Sequence, residues 1–196
     1  MYALLLAVLL LGRHSTSTMP TPAEIQRLAR DCAANVYGAR PPSPHYVEAV
    51  TSLLCGTAAV ESNLEYRRQH GFGWESMRGA WGLWQTEALP LLDNLAYLAR
   101  RKDVADAAAR WLYGVDDATL EPLFSMNQAT LVRTIAGWDR LACLMARVHY
   151  LRVPAPIPNT QAGRAEYWKR WYNTHLGAGT TDGYLERYRQ HFGGTQ

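Results

Sequence analysis

The stretch PHYVEAVTSLLCGTAAVESN, residues 44–63, follows the turn Pro41-Pro42-Ser43-Pro44 and carries Tyr46, Val47, Val50, Leu53, Leu54 and Ala58 at helical spacing. Residues three and four apart share one face of a helix, so this spacing predicts a helix with an apolar stripe turned to the core. Glu61 continues that stripe. A carboxyl at the inner edge of a helix end loses water, and burial penalises its charged form and raises its pKa.

Upstream, Thr21 is placed to cap a helix with Pro22 at its first position and Glu24 completing a capping box, and Ile25, Leu28, Ala29, Cys32 and Val36 follow at helical spacing before a stop at Gly38. Downstream, the periodicity fails over residues 65–79, where Gly71 and Gly73 intrude. A long loop or small lobe is expected there, and unstructured stretches of that length are usually functional. Helical patterning returns over residues 87–100 and 104–113. Ser125 with Gln128 reads as another capping box, opening one long helix whose face carries Ala129, Val132, Ile135, Ala136, Leu141, Leu144, Met145, Val148 and Leu151. The proline connector at residues 154–158 stops it, and two shorter helices are expected around residues 165–172 and 182–192. No run alternates with period two between hairpin turns, so strands are minor at most. The expected fold is all-α or predominantly α.

The totals agree with one domain. A chain of 196 residues, 48% apolar, buries one sizeable core. Its formal charge of +3 is carried almost wholly by arginine, with Lys102 and Lys169 the only lysines. That charge is too small to argue for nucleic acid and permits an anionic polymer as partner. Cys32, Cys55 and Cys143 lack metal-ligand spacing and lie in apolar helical patterns, so buried free thiols are expected, with no metal site and no cofactor. The unbroken apolar run from Tyr2 to Gly12 is too short to span a bilayer as a helix. No Lys or Arg precedes it, Arg13 follows at once and no small-x-small cleavage pattern stands after it. Residues 1–19 therefore form a hydrophobic segment with three open readings: an export or anchoring signal, a plug docked in an assembly, or an over-extended start with Met19 as the true beginning. Any membrane contact would run through this segment. The domain proper is assigned to residues 20–196.

The chemistry concentrates in two blocks, Ala59-Val60-Glu61-Ser62-Asn63 and Gly79-Ala80-Trp81-Gly82-Leu83-Trp84-Gln85. A carboxylic acid still protonated near neutrality is what cleavage of a glycosidic bond requires, because the departing sugar oxygen needs a proton. Glycines in the second block allow close backbone approach to a ligand. Trp81 and Trp84 offer flat faces for sugar rings, and Gln85 adds a hydrogen-bonding group that does not titrate.

Glu-Ser, a variable stretch and Gly-Ala-x-Gly-Leu-x-Gln resemble the pattern of soluble lytic transglycosylases and goose-type lysozymes. The resemblance implies a helical lysozyme-like fold, with Glu61 matching the catalytic acid, Ser62 a residue hydrogen-bonding near it, and Gly82, Leu83, Trp84 and Gln85 the wall of the substrate cleft. The loop between the blocks is nearer the goose-type length, and Trp84 stands where methionine is common. Trp171-Tyr172-Asn173-Thr174, with Gly177 and Gly179 beyond, resembles the late Tyr-Asn block of transglycosylase domains, which implies that Tyr172 sends its hydroxyl toward Glu61 and that Asn173 lines the cleft. The departure is Thr174-His175-Leu176, where a small residue or glycine is expected directly after the Asn. The region from Arg147 to Thr180 also resembles segments of bacteriophage-encoded proteins, which implies a wall-degrading role in genome delivery or host lysis.

Each signal has a plainer counterpart. Glu65, one turn beyond Glu61, is expected to be solvated. Glu75 is the better second carboxylate, since goose-type enzymes carry acidic groups in that region, although a loop charge needs no role. Trp111, Trp138, Trp168 and Trp171 are first of all packing residues. His149 and His175 are isolated and lack the spacing of metal ligands. Ser62 has no visible His and acid partners, which argues against a serine nucleophile. The expected activity is cleavage of the bond between N-acetylmuramic acid and N-acetylglucosamine by a lytic transglycosylase of virion, host envelope or periplasm. Its partners would be peptidoglycan strands and other phage virion proteins, not nucleic acid. The alternatives are a hydrolytic lysozyme, a non-catalytic structural virion or tail protein keeping the lysozyme-like fold, and a glycan-binding module.

Overall fold

The computed structural model of the protein describes residues 18–69, 71, 78–174 and 177–193. Over these residues the fold is predominantly α. The helices in chain order are α1 (Pro22–Asn35), α2 (Pro44–Ser62), α3 (Ala88–Arg100), α4 (Lys102–Tyr113), α5 (Glu121–Phe124), α6 (Gln128–Gly137), α7 (Asp139–Leu151), α8 (Gln161–Trp168) and α9 (Thr181–Phe192). A two-stranded antiparallel hairpin, β1 (Ala80–Trp81) and β2 (Thr86–Glu87), pairs Ala80 with Glu87 and Trp81 with Thr86. Among the described residues no helix is long and apolar enough to cross a membrane.

The helix α2 is the axis of the molecule. Its Ser43 cap accepts from the Tyr46 N–H and Pro44 opens its first turn, and most of its residues from Ala49 to Ala59 are buried. The helix α1 packs along it after the expected capping box, in which Thr21 and Glu24 satisfy each other's backbone N–H. On another side α9 approaches so closely that a Cβ on Gly56 would lie 2.1 Å from the Tyr184 ring. Only glycine admits that contact. The Tyr184 hydroxyl reaches the Leu53 carbonyl at 3.4 Å, so the crossing is fixed by shape and by a hydrogen bond. The second core helix, α7, is buried from Leu141 through Val148 and receives α1, α3, α4 and α6. Cys32, Cys55 and Cys143, on α1, α2 and α7, are buried and unlinked.

The single long helix expected after Ser125 is two helices. Asn127, not Ser125, is the cap of α6, accepting from the Thr130 N–H at 2.9 Å. Trp138 is extended, with φ −132° and ψ 92°, and separates α6 from α7. The apolar pattern continues on both sides of the break, which is why periodicity does not reveal it. Asp139 then opens α7 at its positively polarised end and pairs there with Arg67. The short helix α5 was also not expected.

Candidate active site

The helix α2 ends at Asn63 and Leu64, both left-handed at φ 52° and 56°, so the chain turns away directly after Glu61 and Ser62. The Glu61 carboxyl lines a cleft of about 490 Å3 together with Gln85, Thr86, Glu87, His149, Tyr172 and Asn173. The indole Nε1 of Trp168 donates to Glu61 Oε1 at 2.9 Å, and the Asn173 side chain is a second hydrogen-bonding neighbour. Burial nevertheless dominates and lifts the Glu61 pKa from 4.5 to about 7. The Glu87 charge adds to the rise, while Trp168, Asn173 and Lys169 oppose it. A half-buried carboxyl in this position holds its proton near neutrality and opens onto a cavity large enough for a sugar ring.

The block at residues 79–85 is the hairpin and its turn. Gly82 has φ +73°, and a Cβ there would meet Ala142 and Ile135 at 3.0 Å, so this glycine brings the hairpin onto α6 and α7 rather than toward a ligand. Gln85, at φ 47°, closes the turn by donating from Nε2 to the Gly82 carbonyl at 2.7 Å, and it faces the cleft. Trp81, Leu83 and Trp84 have no exposed surface. Trp84 donates to the Leu54 carbonyl at 2.9 Å, and Trp81 lies 3.8 Å under the Arg68 guanidinium. The expectation that Trp81 or Trp84 presents a face to substrate is therefore corrected: both rings, with Leu83, hold the hairpin on the core.

Ser62 also differs from expectation. Its hydroxyl donates to the Ala58 carbonyl at 2.9 Å and accepts from the Leu64 N–H, so it closes the helix end and does not hold the acid. Tyr172 lines the cleft, but its hydroxyl gives its proton to the Trp84 carbonyl at 2.7 Å, with Thr86 Oγ1 at 3.4 Å. It feels the Glu61 charge without being the carboxyl's donor, and burial holds its own pKa far above the usual phenol range. Asn173 lines the cleft beside Glu61. Glu75 and His175 lie outside the described residues. Glu65 is exposed.

Three residues at the site were not foreseen. Trp168, expected first of all to pack, does so and is also a donor: 1% exposed, 5.5 Å from the Tyr184 ring, and bonded to Glu61. Glu87, at the end of β2, brings a second carboxylate to the cleft. The signal for it was its place two residues after Gln85, at a predicted helix start. Lys169 lies directly after α8, and its charge acts on Glu61. His149 lies 4.8 Å from the Tyr172 ring and donates from Nε2 to the Trp171 carbonyl at 2.7 Å. Burial lowers its pKa, so it stays neutral near pH 7. Among the described residues no three His, Cys, Asp or Glu side chains gather as a metal set would.

Searches with family models, against curated proteins and against solved structures find no match to the chain.

Proposed function

We propose that the protein cleaves the glycan strands of peptidoglycan as a lytic transglycosylase, with Glu61 as general acid. The observation that carries this reading is the Glu61 carboxyl, its pKa lifted to about 7, held by an indole donor in the lining of a cleft. In the proposed reaction, protonated Glu61 gives its proton to the glycosidic oxygen as the bond to the muramyl anomeric carbon breaks. An oxocarbenium-like centre develops there. Glu61, now ionised, takes the proton of the muramyl 6-hydroxyl as that oxygen bonds to the anomeric carbon, closing a 1,6-anhydro ring and restoring the acid. Tyr172 commits its proton to the Trp84 carbonyl, so in this reading Glu61 carries the proton both ways. The likeness of residues 147–180 to phage segments supports a virion or host-envelope setting.

Glu87 supports a second reading. A carboxylate in the same cleft is placed to activate water, which would give hydrolysis and reducing ends. Digestion of purified peptidoglycan by the full chain, with mass spectrometry of the soluble fragments, separates the two. Anhydro-muramyl ends from the wild type and none from Glu61→Gln are expected. Reducing ends that vanish in Glu87→Gln would transfer the assignment to a lysozyme. No release by the wild type would leave a structural or glycan-binding role and overturn both.

A further inference from the structure

We propose that Lys169 is a positioning residue that locks Asn173 beside Glu61 and ties the cleft wall at Gly177 to the same point. The proposal rests on the reading of Glu61 as an acid.

The geometry begins where α8 ends. Residues Lys169–Asn173 form a single π-helical stretch, the wider coil in which one extra residue per turn is accommodated and which is frequent at functional sites. Lys169 Nζ donates to Asn173 Oδ1 at 2.8 Å and to the Gly177 carbonyl at 2.8 Å. A carboxamide has one acceptor oxygen and two N–H donors. With Oδ1 taken by the ammonium, the Nδ2 end is the one free to serve the Glu61 carboxyl. The only other lysine, Lys102, is an exposed partner of Asp106 on α4. Lys169 is half-buried in a chain that otherwise carries its positive charge on arginine. A compact ammonium can meet two converging carbonyl oxygens that the flat fork of a guanidinium does not fit in the same space.

The glycines that follow carry the same message independently. A Cβ on Gly177 would fall 2.4 Å from both the backbone oxygen and Oδ1 of Asn173. A Cβ on Gly179 would fall 2.5 Å from the Trp168 ring and 3.2 Å from Asn173 Nδ2. The wall is thus pressed onto the two side chains that hold the acid, and Lys169 is the tie that keeps it there.

The charged and titratable groups around Glu61 are Lys169 and Tyr172 from the π-helical stretch after α8, Glu87 from the hairpin, and His149 and Tyr150 from α7. Lys169 supplies positive charge, favouring the ionised carboxyl directly and, through Asn173, by hydrogen bonding. Removing it frees the amide and withdraws the charge, and both effects raise the proton affinity of Glu61.

Trp168 supplies a readout that needs no turnover, because its indole N–H touches the carboxyl. In 15N-labelled full chain, the Trp168 Nε1–H resonance, assigned by its loss in Trp168→Phe, is followed over about pH 4 to 9. The wild-type midpoint is expected near the Glu61 value of about 7. In Lys169→Met it moves up by roughly half a unit to one unit, and in Lys169→Arg by less. The Lys169→Met, Asn173→Ala double variant moves less than the sum of its parts, since the lysine acts partly through the amide. Lys169→Gln, which keeps a donor and loses the charge, provides the same comparison if the methionine variant folds poorly. A wild-type resonance that titrates while the methionine or glutamine variant titrates identically overturns the role of Lys169 alone. A wild-type resonance that does not move overturns the acid reading of Glu61 and this proposal together.

Discussion

At the residue scale, the proton of Glu61 is set by a contest that burial wins over two hydrogen-bonding neighbours and a nearby ammonium. Glu61→Gln is expected to lower release of soluble muropeptides by roughly 10²- to 10⁴-fold, the range for loss of a general acid. Glu87 raises the Glu61 pKa, so Glu87→Gln moves the alkaline limb of the activity profile to lower pH; an unmoved limb would separate the two carboxylates electrostatically. Trp84→Phe removes a buried indole donor to the Leu54 carbonyl. It is expected to cost about 1 to 3 kcal/mol in urea denaturation, with the KM for wall fragments little changed. A raised KM with stability intact would return the ring to the substrate. Glu61 was singled out in the sequence chiefly by the block at residues 79–85 and by the apolar spacing that leads to it; that α2 is buried on every side from Ala49 to Ala59, and not along one stripe, was not legible. The tryptophans were not, because a large aromatic with one polar atom suits a sugar platform and a core equally, and only three-dimensional surroundings choose.

At the element scale, the capping box of Thr21 and Glu24 made α1 readable, and the proline turn at residues 41–44 with the apolar spacing after it made α2 readable; Ser43, which caps α2, also has the side-chain oxygen and following proline that start a helix. The division of α6 from α7 was hidden because Trp138 interrupts the backbone without interrupting the apolar face. The hairpin was hidden because two residues per strand cannot show an alternation. Gly56 is the position on which the α2 and α9 crossing depends. Gly56→Ala forces a Cβ into Tyr184, whose ring also packs on Trp168, and is expected to cost about 1 to 3 kcal/mol or more by denaturant titration. A cost below about 0.5 kcal/mol would mean that the two helices part easily.

At the scale of the whole molecule, the candidate site draws on three separated parts of the chain: α2 brings Glu61, the hairpin brings Gln85 and Glu87, and the π-helical stretch after α8 brings Lys169 and Asn173. The raised pKa of Glu61 makes folding stability depend on pH. The folded state holds the Glu61 proton more tightly than the unfolded chain does, so the contribution is complete below the ordinary value of 4.5 and is lost as pH rises through about 7. Relative to Glu61→Gln, the wild type is expected to lose roughly 2 kcal/mol between pH 5 and pH 8, after allowance for water in the cleft. The most direct test of Glu61 as the acid of a wall-cleaving enzyme is the rate of muropeptide release against pH, measured in parallel for wild type and Glu61→Gln. A wild-type rate that falls as pH rises through about 7, with the variant near background throughout, is the predicted result; release by Glu61→Gln at the wild-type rate would contradict it.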